Sequence, residues 1–185
     1  GKAVKAGVLG AVLAVTAVVG PVHATLNEAG TGGDTNVALG KGSTARGADS
    51  VVIGNSASAE GANTVAQGTG SLAKEANSVA IGANASTKGE NAVAIGTNAT
   101  SGSLGTSGQS TVAIGGSAQA TSSRAVAIGD SAKSSWYGIA IGARVEANPT
   151  SVAIGGGYNA AEAARTTMSH SVALGTYAKT TKAVD

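Results

Sequence analysis

The sequence predicts an all-β fold, a parallel solenoid of about ten short turns of 13–20 residues each. Three observations carry that prediction. A phrase of the form Ser-Val-Ala-Ile-Gly recurs, ending at Gly40, Gly54, Gly68, Gly82, Gly96, Gly115, Gly129, Gly142, Gly155 and Gly175. The first four steps are 14 residues long and the rest are 19, 14, 13, 13 and 20; a short fixed period along a chain marks a repeat architecture. Composition is the second observation. Aromatics are 2% of the chain and Phe is absent, so the large side chains that fill a globular interior are missing. Third, the apolar residues of the phrase alternate large, small, large, which is the period of a strand.

Residues 1–24 stand apart. Lys2 and Lys5 precede an apolar run from Ala6 to Gly20, followed by Val22-His23-Ala24. Basic flank, apolar centre and small-residue end read as a secretory signal cleaved after Ala24. The run is short of the roughly 20 residues a membrane span needs. The alternative is a buried strand or helix that caps the solenoid. Residues 25–35 are small and polar and read as a linker. The repeats occupy residues 36–185.

Within one repeat, the phrase forms a strand and its glycine ends it in a turn open to positive φ. Small residues three and five positions later (Ala57 and Ala59, Ala118 and Ala120) read as a second short strand. Gly, Asn or Ser then turn the chain back. Equal repeats place each strand beside its own copy about 4.8 Å away. The larger residues are expected to form the core ladder: Val51 and Ile53, Val79 and Ile81, Val93 and Ile95, Val112 and Ile114, Val126 and Ile128, and Val152 and Ile154. One rung departs from the pattern, Val65 with Gln67. So thin a core is expected to be insufficient for a single chain. The small residues between the large ones (Ala80, Ala94, Ala113, Ala127, Ala140 and Ala153) are expected on the opposite face, where they let another chain approach. The expectation is an obligate homo-oligomer.

Two repeats are longer than the rest, with extra residues in Ser101–Ser110 and Ala160–Ser169. Insertions in a solenoid emerge as loops on one edge, often the edge that binds; tolerated decoration is the competing reading. From these loops and the aromatic pair, the ligand-contact candidates are Leu104, Gln109, Trp136, Tyr137, Arg165 and His170. For Trp136-Tyr137 a packed plug is the first expectation and an exposed binding aromatic the second.

Asn77-Ser78-Val79-Ala80-Ile81-Gly82 and Asn91-Ala92-Val93-Ala94-Ile95-Gly96 resemble the head repeat of YadA-like trimeric autotransporter adhesins. The resemblance runs from about Asn36 to Tyr177. It implies a left-handed parallel β-roll, three chains around one axis, and export to a bacterial cell surface. It further implies adhesion to host extracellular matrix proteins or cell-surface receptors. The family's Val-Asn-x-x-Gln-Leu neck, heptad stalk and membrane-anchor strands have no counterpart here. Anchoring at the outer membrane is therefore expected from downstream parts, with no membrane contact by this fragment.

Other functions find little support. The formal charge of +2, with no basic run and no stacking series of aromatics, argues against nucleic-acid binding. Cysteine is absent, which excludes disulfides and thiolate metal sites. No catalytic, cofactor or metal constellation is present: the two histidines, His23 and His170, are far apart, and the acids fall in turns near lysines and arginines. A hexapeptide-type acyltransferase needs a six-residue period, and an ice-binding solenoid needs a flat Thr-x-Thr ladder; neither is found. A structural spacer that holds another binding domain away from the surface is the main alternative to an adhesin.

Overall fold

A computed structural model describes residues 36–103 and 110–180. The predicted signal and linker, and the candidates Leu104 and Gln109, lie outside the described residues. The described chain is all-β. Each turn contributes one three-residue strand and one two-residue strand. The first two turns are β1 (Val37–Leu39), β2 (Thr44–Ala45), β3 (Val51–Ile53) and β4 (Ser58–Ala59). The next three are β5 (Val65–Gln67), β6 (Leu72–Ala73), β7 (Val79–Ile81), β8 (Ser86–Thr87), β9 (Val93–Ile95) and β10 (Thr100–Ser101). Turns six to eight carry β11 (Val112–Ile114), β12 (Gln119–Ala120), β13 (Val126–Ile128), β14 (Lys133–Ser134), β15 (Ile139–Ile141) and β16 (Glu146–Ala147). The last two carry β17 (Val152–Ile154), β18 (Arg165–Thr166), β19 (Val172–Leu174) and β20 (Lys179–Thr180).

The odd strands form one ten-stranded parallel sheet and the even strands another, each in chain order. Register follows the repeat residue for residue: Val79 pairs with Val93, Ala80 with Ala94 and Ile81 with Ile95. The first insertion leaves this untouched, since Val93 pairs directly with Val112. So does the second, where Val152 pairs with Val172. The predicted solenoid is therefore present.

The faces, however, are inverted relative to expectation. Ala80, Ala94, Ala113, Ala127, Ala140 and Ala153 are fully buried inside the single chain. The flanking Val79, Ile81, Val93, Ile95, Val112, Ile114, Val126 and Ile128 point outward and are only half-buried, while Ile53 and Ile154 are exposed. The outward set also includes Val51 and Val152, both half-buried. The ladder is real, but it lies on the outside. The physical reason is room. Sheets lined by large side chains pack about 10 Å apart, and a closed turn of about 14 residues cannot open to that width. Four small side chains fill it instead, for example Ser78, Ala80, Ala85 and Thr87. Among the described residues, only Val52 and Val145 place a larger aliphatic side chain inward. Gln67 follows naturally: its position faces outward and is exposed.

Interior hydroxyls bond to one another and to nearby carbonyls. Thr87 Oγ1 donates to Ser78 Oγ at 2.9 Å, and Ser78 Oγ donates to the Glu75 carbonyl at 2.7 Å. Ser101 Oγ donates to Thr111 Oγ1 at 2.8 Å. Among the described residues, Ser71 Oγ is the buried side-chain oxygen with no partner.

The glycine after each long strand is required twice over. Gly82 has φ 128°, a region open essentially to glycine alone. A Cβ there would stand 2.6 Å from the carbonyl of Gly96 in the next turn. Two further corner positions per turn adopt left-handed backbone, commonly as Asn: Asn77 at φ 56° and Asn84 at φ 55°. Asn tolerates this conformation better than most residues. Equivalent Asn side chains also bond along the axis, Asn63 to Asn77 at 3.2 Å and Asn84 to Asn98 at 3.4 Å.

Candidate functional site

Three surfaces could carry recognition: the outward apolar ladder, the charged face of the even strands, and the corners. The ladder runs along the whole odd-strand sheet and exposes Val172 and Leu174 at its last rung. A continuous apolar face on a thin solenoid is a surface for association.

The even-strand face is polar. It becomes charged in the later turns, where Lys133, Glu146, Arg165 and Lys179 align in register. Arg165 belongs here. It was expected in the second insertion, but it lies on β18 and its guanidinium pairs with Glu146 at 2.9 Å. The insertion proper precedes it. There, Glu162 accepts from the Tyr158 backbone N–H at 3.0 Å and from Asn159 Nδ2 at 2.7 Å, which closes a small turn. Tyr158 at its tip is 93% exposed.

The two insertions do not share an edge. The first follows a short strand, β10, and the second follows a long strand, β17. They leave the coil at different corners, contrary to the single-edge expectation.

His170 also lies outside the insertion. It occupies the left-handed corner position before β19, with φ 57°, and is exposed. Thus it is the structural equivalent of Asn77. Tyr137 occupies the same position before β15, with φ 56°. Its corner is one residue shorter than the usual one, with four residues between β14 and β15 where five separate β12 from β13. A Cβ at Gly138 would meet Ser134 Oγ at 2.8 Å and the Ser135 carbonyl at 2.9 Å, although the equally short corner between β16 and β17 carries Ser151 at the equivalent position.

The packed-plug expectation for Trp136 and Tyr137 is overturned. Trp136 is 52% exposed and Tyr137 41%. A turn with no interior space for a ring must put it outside. The two rings meet edge to face, with centroids 4.7 Å apart. Arg124, one turn earlier, holds its guanidinium 5.2 Å from the Tyr137 ring centroid and donates a hydrogen bond to the Tyr137 hydroxyl. Arg124 was not among the sequence candidates. The available signal was its place in the repeat: it takes the position where three earlier turns carry Asn, 13 residues before Tyr137.

Among the described residues, no three His, Cys, Asp or Glu side chains gather into a metal-binding group. No described helix is long and apolar enough to cross a membrane.

Comparison with known proteins agrees with this geometry. The model of the YadA head domain repeat matches residues 33–57, 45–71, 59–85, 73–99 and 107–132, which together cover half of the chain. No curated protein matches the chain. With the matched segments falling on the stacked turns from β1 to β13 and covering half of the chain, the chain belongs to the YadA head domain repeat family.

Proposed function

We propose that this chain is the head of a surface-displayed bacterial adhesin, active as a homotrimer that attaches the cell to host cells or extracellular matrix. The observation that carries this reading is the run of YadA head repeats over half of the chain. The outward Val/Ile ladder supports the assembly. A face that repeats an apolar pair in every turn but Gln67's, and leaves it half-buried in the single chain, gains by being covered. Three copies placing those faces on a common axis would each bury the same residues. The alanines, already enclosed within one chain, are not the contact between chains.

The family's left-handed coil and three-chain assembly, export, and anchoring by downstream parts complete the proposal. Multivalency would then turn weak single-site contacts into firm attachment, because binding at one chain raises the effective concentration at the others.

The experiment is binding of the purified chain to immobilised matrix proteins and to cultured cells. Saturable binding that survives high salt and competes with unlabelled protein supports the adhesive head. Absence of binding to cells and to every matrix protein would favour the spacer reading instead.

A further inference from the structure

We propose that the corner formed by Arg124, Trp136 and Tyr137 binds an acidic sugar residue, with the Trp136 indole as its stacking platform and the Arg124 guanidinium as the partner of its carboxylate. This deepens the adhesive reading above and rests on it.

The corner departs from its equivalents in the same chain. In earlier turns the left-handed position is Asp49, Asn63, Asn77, Asn91 or Ser110, at φ 54°, 56°, 56°, 53° and 37°. Here it is Arg124 and then Tyr137, both at φ 56°, two residues that fit this conformation less well than Asn. The backbone is nevertheless fixed on both sides. Tyr137 N–H donates to the Ser123 carbonyl at 3.0 Å, and the Trp136 carbonyl accepts from Thr150 N–H at 2.8 Å. The edge-to-face contact and the Arg124 hydrogen bond fix the side chains. An aromatic pair held this firmly, yet half exposed, loses little entropy when a ligand settles on it.

Charge selects the ligand. Arg46, Arg144 and Arg165 each have a carboxylate within 4 Å: Glu60 at 3.7 Å, Asp130 at 3.8 Å and Glu146 at 2.9 Å. Arg124 has none among the described residues, and its hydrogen bond to Tyr137 uses one of five donors. Earlier turns place Asp49, Glu75 and Glu90 at this corner. From Arg124 onward the corner has no acid, and several of its positions carry hydroxyls or amides, such as Ser122, Ser135 and Asn148.

The shape favours a saccharide over a peptide. The site is an exposed corner, with Trp136 52% and Tyr137 41% exposed. The strand edges within the solenoid are already paired to the neighbouring turns, so an added strand has nowhere to bind. A pyranose presents a flat C–H face to an indole and hydroxyls to the rim, and a uronic or sialic carboxylate meets the planar guanidinium through paired N–H donors.

Trp136 is the chain's sole tryptophan, so its fluorescence reports the site directly. The full chain, in the oligomeric state it adopts, is titrated with hyaluronan hexasaccharide and sialyllactose (carboxylate arms), lactose (neutral arm) and a heparin hexasaccharide (sulfated arm). A saturable change is expected with the carboxylate sugars, with lactose about tenfold weaker or more, in line with the loss of a hydrogen bond to a charged group. Arg124→Asn should remove that preference; Trp136→Ala, which lacks the fluorophore and is titrated by calorimetry beside the parent, should abolish binding. Both variants leave the interior untouched, and Tyr137→Asn, the residue used at Asn77, serves as a folding control. The proposal is overturned by no saturable change, by equal affinity for lactose, by response to the sulfated sugar alone, or by an Arg124→Asn variant that binds like the parent. It is equally overturned if acrylamide cannot quench Trp136 in the free protein, which would mean that a second copy covers the corner. If the sugars fail while the chain still binds cells, only this inference falls; if cell binding fails as well, the adhesive reading falls with it.

Discussion

Replacing Gly82 with alanine tests the stacking of the turns at a point of close backbone approach. Gly82 sits at φ 128°, and an added Cβ would lie 2.6 Å from both the carbonyl carbon and oxygen of Gly96. The backbone conformation alone costs a non-glycine residue about 1–3 kcal/mol. The steric conflict is with main chain, which cannot swing aside as a side chain would, and overpacking of this kind adds about 1–3 kcal/mol. Gly175 provides the control. It has φ 102°, and a Cβ there meets nothing within 4 Å, so Gly175→Ala carries the backbone term without the collision. The entropy that alanine removes from the unfolded chain is common to both variants and cancels in the comparison. Urea denaturation followed by far-ultraviolet circular dichroism should therefore place Gly82→Ala about 1–3 kcal/mol below Gly175→Ala. Equal losses would refute the steric argument, and with it the close backbone approach that the solenoid requires.

Other perturbations separate the inside of the coil from its outside. Ser71→Ala removes a buried hydroxyl without a partner at a position that is Ala57 and Ala85 in neighbouring turns; it should raise stability by about 1 kcal/mol, read as a higher denaturation midpoint. Ala94→Leu overfills a fully buried position and should cost about 1–3 kcal/mol, whereas Ile95→Leu on the outward face should change the intrinsic stability of a turn by less than about 1.5 kcal/mol. Arg165→Gln breaks the 2.9 Å pair with Glu146, but the two side chains are 46% and 36% exposed, so solvent screening limits the loss to about 1 kcal/mol or less, measured in the same denaturation assay at low and high salt.

Much of this architecture was legible in the sequence because a repeat states its own register. Once Val79 and Val93 are recognised as equivalent, strand pairing follows, and the structure reproduces it across both insertions. Which face lies inside was misjudged. Hydrophobicity ranks Val and Ile above Ala for burial, and that ranking holds where the interior can widen to suit. In a closed coil of this length volume decides, and the alanines win. The sequence held a signal of this. The middle position is Ala in every long strand except β3, where Val52 stands, while the position after it varies among Leu, Ile and Gln67. A position that admits only small residues is constrained by space; one that admits glutamine is open to water or to a partner. The corner site was half legible. Trp136-Tyr137 announced itself by composition, but Arg124 becomes its neighbour only when adjacent turns are stacked.

The central claim is that alanine fills each chain and the outward Val/Ile ladder joins three chains. Light scattering coupled to size exclusion, on the parent and on the double variant Ile81→Ser/Ile95→Ser, tests it most directly. These two side chains are adjacent rungs of the outward ladder and contribute nothing to the alanine interior. The parent should have three times the mass of one chain, and the double variant should shift toward the mass of a single chain. A parent that is a folded single chain at micromolar concentration, or a double variant that keeps the three-chain mass, would contradict the account.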